Sequence, residues 1–190
     1  PWSQPMGPMR WPSWLAGSSV RVTTASMERS IERCCQPISI SRDNFHPMHS
    51  HVVPALLQRF HMAKVENLPF VEIWGSGDAK REFLFVDDLV EACLFLGDFP
   101  EELGQLKIGS KQEVSMRELA ETVREVVDYS GELVFDTSKP DGMPLKKVDT
   151  SQLDQLGWYS TTSLQKGLEK TYAWYLQQLE LPSSERRLRS

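Results

Sequence analysis

The run Phe83-Leu84-Phe85-Val86 constrains this chain more than any other feature. Successive side chains of an extended backbone point to opposite faces, so a strand that is apolar at every position must be covered on both sides. That requirement places it inside a layered α/β unit. Its approach is equally informative. Phe70-Val71-Glu72-Ile73-Trp74 reads as an earlier strand, Gly75-Ser76-Gly77 as a turn, and Lys80 and Arg81 as a basic lead into the second strand, after which Asp87 and Asp88 start a helix. Chemically, the turn offers an aromatic face, glycines that let a ligand approach backbone, and a guanidinium able to hold a phosphate through two hydrogen bonds. The alternative is a plain hairpin with an exposed basic turn, and these residues alone leave both open.

The remaining signals repeat the alternation of strand and helix. Ser50 is placed to cap a helix that buries Val52, Val53, Leu56, Leu57 and Phe60, with Pro54 tolerated in its first turn. Leu89 to Leu96 reads as a buried helix, residues 97–104 as a surface loop around Pro100, and Leu106-Lys107-Ile108-Gly109 as a short strand. Ser115-Met116-Arg117-Glu118 is a capping box opening a helix with Met116, Leu119, Ala120, Val123, Val126 and Val127 at helical spacing. Leu133-Val134-Phe135 makes another strand. It leads into the turn-rich run Ser138-Lys139-Pro140-Asp141-Gly142-Met143-Pro144, with Lys146 and Lys147 beyond, a second candidate ligand loop. Ser151 to Leu156 is a short helix, and Ser163 caps a final amphipathic helix bearing Leu164, Leu168, Tyr172, Tyr175 and Leu179. No strand runs into a Gly-x-Gly-x-x-Gly turn, so the dinucleotide-binding part of such a fold is not in this sequence.

Composition narrows the partners. A net charge of −5 with no basic run argues against nucleic acid, whose binding rests on neutralising many phosphates. No apolar segment approaches the length of a bilayer span and no secretory leader is visible, so no membrane partner is expected. The three cysteines, Cys34, Cys35 and Cys93, show neither metal nor redox spacing, which predicts a reduced compartment and hence the cytoplasm. The chain opens on Pro1, from which a fragment of a longer protein is expected.

Four motifs, in order, resemble the GDP-L-fucose synthase family of the extended short-chain dehydrogenases: Asn44-Phe45-His46-Pro47-Met48-His49-Ser50-His51-Val52-Val53-Pro54, the loop from Trp74 to Asp88, Lys139-Pro140-Asp141-Gly142-x-Pro, and Leu156-Gly157-Trp158. The match runs from residue 43 to about residue 178. The resemblance implies an α/β fold in which residues 42–180 form the C-terminal, substrate-binding part of such an enzyme, lacking most of the Rossmann half. It implies NADPH as cofactor, GDP-4-keto-6-deoxy-D-mannose as substrate, epimerisation at C3 and C5 followed by reduction of the C4 ketone, and a homodimeric whole protein. His51 matches the acid of the epimerisation and also meets the cofactor, a role that suits an imidazole because it titrates near neutral pH. The partner cysteine of that chemistry lies outside this chain.

Arg59 and Arg81 match positions that contact the nucleotide-sugar, as do Trp74 and Asp141. Read as residues alone, His51 also fits a helix-start cap, Arg59 a solvated side chain, Trp74 a strand-end core residue and Asp141 a turn residue. His46, His49 and His51 do not follow a zinc spacing, so no metal site is expected, and His61 reads as a helix-face residue. The rival readings are another nucleotide-sugar epimerase or reductase of the superfamily and a non-catalytic nucleotide-sugar binding remnant.

Residues 1–41 differ from the rest: three of the six tryptophans fall in the first fourteen positions, and no helical or strand period appears. The family's Tyr-x-x-x-Lys pair, expected about thirty residues before the histidine loop, is missing. A shifted reading frame accounts for this. Pro8 to Leu15, written CCT ATG CGG TGG CCA AGC TGG CTG, becomes TAT GCG GTG GCC AAG CTG GCT when read one base earlier, which is Tyr-Ala-Val-Ala-Lys-Leu-Ala. The same shift permits family-like segments at Trp2 to Pro8, Thr23 to Glu28 and Cys34 to Ile40. Residues 1–41 are therefore expected to be out of frame and non-native or disordered, with Cys34 and Cys35 as artefacts, and residues 181–190 a disordered tail.

Overall fold

The structure is a computed structural model that describes residues 34–35, 38–40, 45, 50–97, 106–146 and 148–182. In chain order the elements are β1 (Cys34–Cys35), β2 (Ile38–Ile40), α1 (Val52–Val65), β3 (Phe70–Trp74), β4 (Lys80–Phe85) and α2 (Val86–Gly97). They continue with β5 (Leu106–Lys107), β6 (Glu113–Ser115), α3 (Met116–Val127), β7 (Glu132–Asp136), β8 (Leu145–Lys146), α4 (Ser151–Gln155) and α5 (Leu164–Glu180).

Strand β4 is the centre, as its two-faced apolar run requires. Phe83 and Phe85 enter one core with Leu57 and Phe60 of α1, Leu119 and Val123 of α3, and Leu168 and Tyr175 of α5. Leu84, pointing the other way, enters a second core with Ala92 and Leu96 of α2, Leu106, Ile108, Leu153 and Trp158. Along its edges β4 pairs parallel with β2 through Phe83–Phe85, antiparallel with β6 through Lys80–Glu82 and parallel with β8 at Lys80–Arg81.

Strands β3 and β7 form a separate parallel pair, with Phe70 opposite Glu132 and Trp74 opposite Asp136. Its inner face puts Val71 and Ile73 into the first core, and its outer face exposes Phe70, Trp74 and Val134. Because β3 pairs with β7 while β4 pairs elsewhere, β3 and β4 are not the two arms of a hairpin, and the hairpin reading of Trp74 to Asp88 falls.

Several boundaries differ from the sequence reading. Helix α1 is capped by His51 rather than Ser50, and the His51 side chain makes no capping hydrogen bond. Lys80 and Arg81 belong to β4 rather than to the turn, because β6 and β8 supply backbone partners that no local pattern reveals. Strands β1 and β2 lie within the stretch where the sequence shows no period. They hold two and three residues, too few for a period to register, and depend on distant partners in β5 and β4. Asp88 does more than start α2. Buried, it accepts hydrogen bonds from the Thr161 and Thr162 amides (3.2 and 2.9 Å) and the Thr162 hydroxyl (2.7 Å), which pins the approach to α5 onto the start of α2. The capping box of α3 is present in both directions, with Ser115 Oγ accepting from the Glu118 amide (3.1 Å) and the Glu118 carboxylate accepting from the Ser115 amide (2.8 Å). The expected loop around Pro100, the tail from residue 183, and His46 and His49 lie outside the described residues.

Candidate functional site

The two candidate loops meet. Helix α3 provides the platform, because a helix start has amides without intrahelical partners. The capping box satisfies the Ser115 and Glu118 amides, while those of Met116 and Arg117 donate to the loop carbonyls of Ala79 (3.0 Å) and Gly77 (2.9 Å). Gly75 and Gly77 have φ of +89° and +86°, the left-handed region that folds the loop back onto the helix. The second loop closes the other side. The Asp141 carboxylate accepts from the Ser76 amide (2.6 Å), and the Lys80 amide donates to the Pro144 carbonyl (2.8 Å).

Arg81 lies along this junction, half-buried, with Nη1 donating to the carbonyls of Lys80 (2.7 Å) and Met143 (2.6 Å). Trp74 stands at the end of β3 with 63% of its surface exposed, so it is not a core tryptophan, and Lys139 Nζ lies 5.8 Å from its ring centre. Lys139 thus lies beside the exposed indole, while Arg81 and Arg117 are held on carbonyls of the two joined loops. Beside them, hydrogen bonds from the Ser138 side chain and backbone, aided by Lys139, hold the Asp136 carboxyl below its ordinary value, so it is ionised at neutral pH.

The other expected site residues are placed less centrally. Arg59 donates from Nη1 to the Glu72 carbonyl (2.8 Å), which ties the exposed face of α1 to β3 two residues before Trp74. It is therefore anchored rather than simply solvated. His51 is exposed at the start of α1, and among the described residues no hydrogen bond or ion pair joins it to Arg59, Trp74, Arg81 or Asp141. His61 packs across to α5, with Nδ1 3.0 Å from the Tyr172 hydroxyl and its ring edge-on to Tyr175. Burial, and secondarily Lys64, lower its pKa. Among the described residues no group of His, Cys, Asp and Glu is arranged to hold a metal ion, and no helix is long and apolar enough to cross a membrane.

Sequence reasoning missed Arg117, which it treated only as part of a capping box. Its guanidinium carbon lies over Phe135, 3.8 Å from the ring centre, and its Nη2 donates to the Ser76 carbonyl at 2.7 Å. Its place in the first turn, beside the loop, is visible only once β4 and β6 pair.

Residues 22–109 match the NAD dependent epimerase/dehydratase family. In fold, the chain superposes on a GDP-L-fucose synthetase from Naegleria fowleri with a TM-score of 0.72 at 24% identity, over 77% of this chain and 46% of that one. The fold is thus that of the extended short-chain dehydrogenases, of which this chain holds a partial segment. In sequence, it is 55% identical over 134 residues to GDP-L-fucose synthase 1 of Arabidopsis thaliana, covering 70% of this chain and 42% of the relative. It is 47% identical over 144 residues to the GDP-L-fucose synthase of Escherichia coli K12, covering 71% and 45%. Over that stretch the chain is similar to these GDP-L-fucose synthases, although it spans less than half the length of either relative.

Proposed function

We propose that residues 42–180 are the nucleotide-sugar-binding portion of a GDP-L-fucose synthase, and that the two joined loops grip a GDP-sugar. The observation that carries this reading is the junction itself: Arg81 held by Met143 and Lys80, Asp141 held by Ser76, and Trp74 exposed at the rim. With one guanidinium nitrogen committed to carbonyls, Arg81 is fixed in orientation and presents its remaining donors to a diphosphate. Trp74 offers a flat apolar face to a base or sugar ring, Lys139 adds charge beside it, and Arg59 extends the cationic surface along β3. Asp141 contributes through its second oxygen, which suits a base or sugar donor.

In this reading the whole protein converts GDP-4-keto-6-deoxy-D-mannose to GDP-L-fucose, in the cytoplasm and as a homodimer, and His51 supplies the proton to the epimerising sugar. NADPH supplies hydride to the C4 ketone when bound. Among the described residues this chain offers it the exposed imidazole of His51, and the glycine-rich turn that would hold the diphosphate is not in the sequence. The chain alone is accordingly inactive. Residues 1–41 are read as a frame-shifted segment, and resequencing of the source gene decides that point: an intact frame coding for Pro1 to Ile40 as written overturns it.

Calorimetry on the 190-residue chain tests the binding reading. GDP and GDP-L-fucose bind, UDP binds more weakly, and Arg81→Met weakens GDP by about 10- to 100-fold, the worth of a charge-assisted hydrogen bond. Equal affinity for GDP and UDP, or indifference to Arg81→Met, refutes it.

A further inference from the structure

We infer that Arg117 is a positioning residue that sets the ligand loop, acting on Ser76 from the side opposite Asp141. Ser76 sits between Gly75 and Gly77, whose left-handed conformations leave the segment without regular backbone pairing of its own. Its amide is taken by Asp141 Oδ1 at 2.6 Å and its carbonyl by Arg117 Nη2 at 2.7 Å, so one residue of the loop is held at both ends by oppositely charged side chains from two different elements.

Arg117 is itself fixed in two further ways. Its backbone amide donates to the Gly77 carbonyl at 2.9 Å, and its guanidinium carbon lies over Phe135, 3.8 Å from the ring centre. Phe135 belongs to β7, in register with Ile73 of β3, so the arginine ties the loop to the very sheet that ends in Trp74. A flat, permanently charged donor suits this place, since it stacks and donates at once, which an ammonium does less well. The loop's path from Trp74 to Arg81 is thereby set by a residue that no ligand needs to touch.

The role rests on the GDP-sugar reading for its consequence but not for its geometry, and two measurements on the full 190-residue chain separate them. The first is amide hydrogen exchange by NMR. Arg117→Ala accelerates exchange at Ser76 and at the position 117 amide by about tenfold or more, the loss of one hydrogen bond, while Leu119 to Val127 keep their protection. Arg117→Lys gives an intermediate value. Unchanged exchange at Ser76, or acceleration spread evenly along α3, overturns the inference. The second is GDP affinity, which, measured well below a melting temperature that drops by only a few degrees, falls about tenfold in Arg117→Ala and recovers in part in Arg117→Lys. Faster exchange with undiminished GDP affinity removes the positioning role. A wild-type chain that does not bind GDP at all removes the proposed function, and the exchange measurement then still decides whether Arg117 sets the loop.

Discussion

Replacing Gly77 by alanine probes the loop junction most directly, and Gly157 provides its control. Both glycines have φ near +90° (+86° and +90°), so each alanine variant bears the cost of a left-handed side chain. That cost is about 1–2 kcal/mol, offset by about 0.4–1 kcal/mol because alanine restricts the unfolded chain. At Gly157 nothing lies within 4 Å of an added Cβ, so the net effect stays near 1 kcal/mol.

At Gly77 the same carbon would sit 2.6 Å from a Phe135 ring carbon and 3.1 Å from Arg117 Cβ. The ring is packed between the loop and the core, and the Arg117 Cβ is fixed to helix backbone, so the overlap is relieved only by moving the loop. Overpacking of this kind costs about 1–3 kcal/mol, which makes Gly77→Ala less stable than Gly157→Ala by about 2 kcal/mol. Urea denaturation reads that difference as a midpoint lower by about 1 M at an unchanged slope. GDP affinity drops for Gly77→Ala and holds for Gly157→Ala. Equal midpoints for the two variants refute the packing of Gly77 against Phe135 and Arg117, and with it the account of how the loop is held.

Three further outcomes follow from other parts of the fold. Glu82 is 2% exposed and accepts from the Lys111 (2.7 Å) and Val148 (3.1 Å) amides, so Glu82→Ala orphans two donors and lowers stability by about 2–4 kcal/mol in chemical denaturation, with Glu82→Gln less damaging; a loss under 1 kcal/mol contradicts this. His51 occupies an N-cap without capping it, so His51→Ser raises stability by about 0.5–1 kcal/mol while abolishing turnover in the intact enzyme, a combination that thermal melts and an epimerisation assay reveal together. The His61 pKa lies below its ordinary 6.5 through burial and Lys64, so the unfolded chain takes up that proton first as pH falls. Stability therefore declines on acidification from about 6.5 down to the folded-state value and then levels off, and His61→Gln removes that part of the slope in melts across pH.

Periodic signals survived translation into structure, while unbacked short elements did not announce themselves. The capping box at Ser115 and Glu118, the apolar spacing of α3 and α5, and the two-faced strand read at Phe83 to Val86 are local patterns, and each appears where the sequence places it, except that Val86 opens α2 instead of ending the strand. Strands β6 and β8 hold three and two residues and draw their stability from β4, so no local period marks them. Their effect on the site is direct, since they draw Lys80 and Arg81 out of the turn and into the sheet.

For the candidate site, the sequence by itself determined the residue types: an aromatic at a strand end, an arginine beyond a glycine turn, a Pro-Asp-Gly loop, and a histidine at a helix start. Motif likeness also pointed to the GDP-L-fucose synthases as relatives, because it depends on order along the chain. Only the tertiary structure decided that the two loops touch, that Asp141 holds the Ser76 amide, that Trp74 is exposed and that Arg117 belongs to the site. Those facts rest on hydrogen bonds between residues 41 and 65 positions apart, Ser76 with Arg117 and with Asp141. Such contacts arise from how β3, β7 and α3 pack, and a linear pattern carries no record of packing.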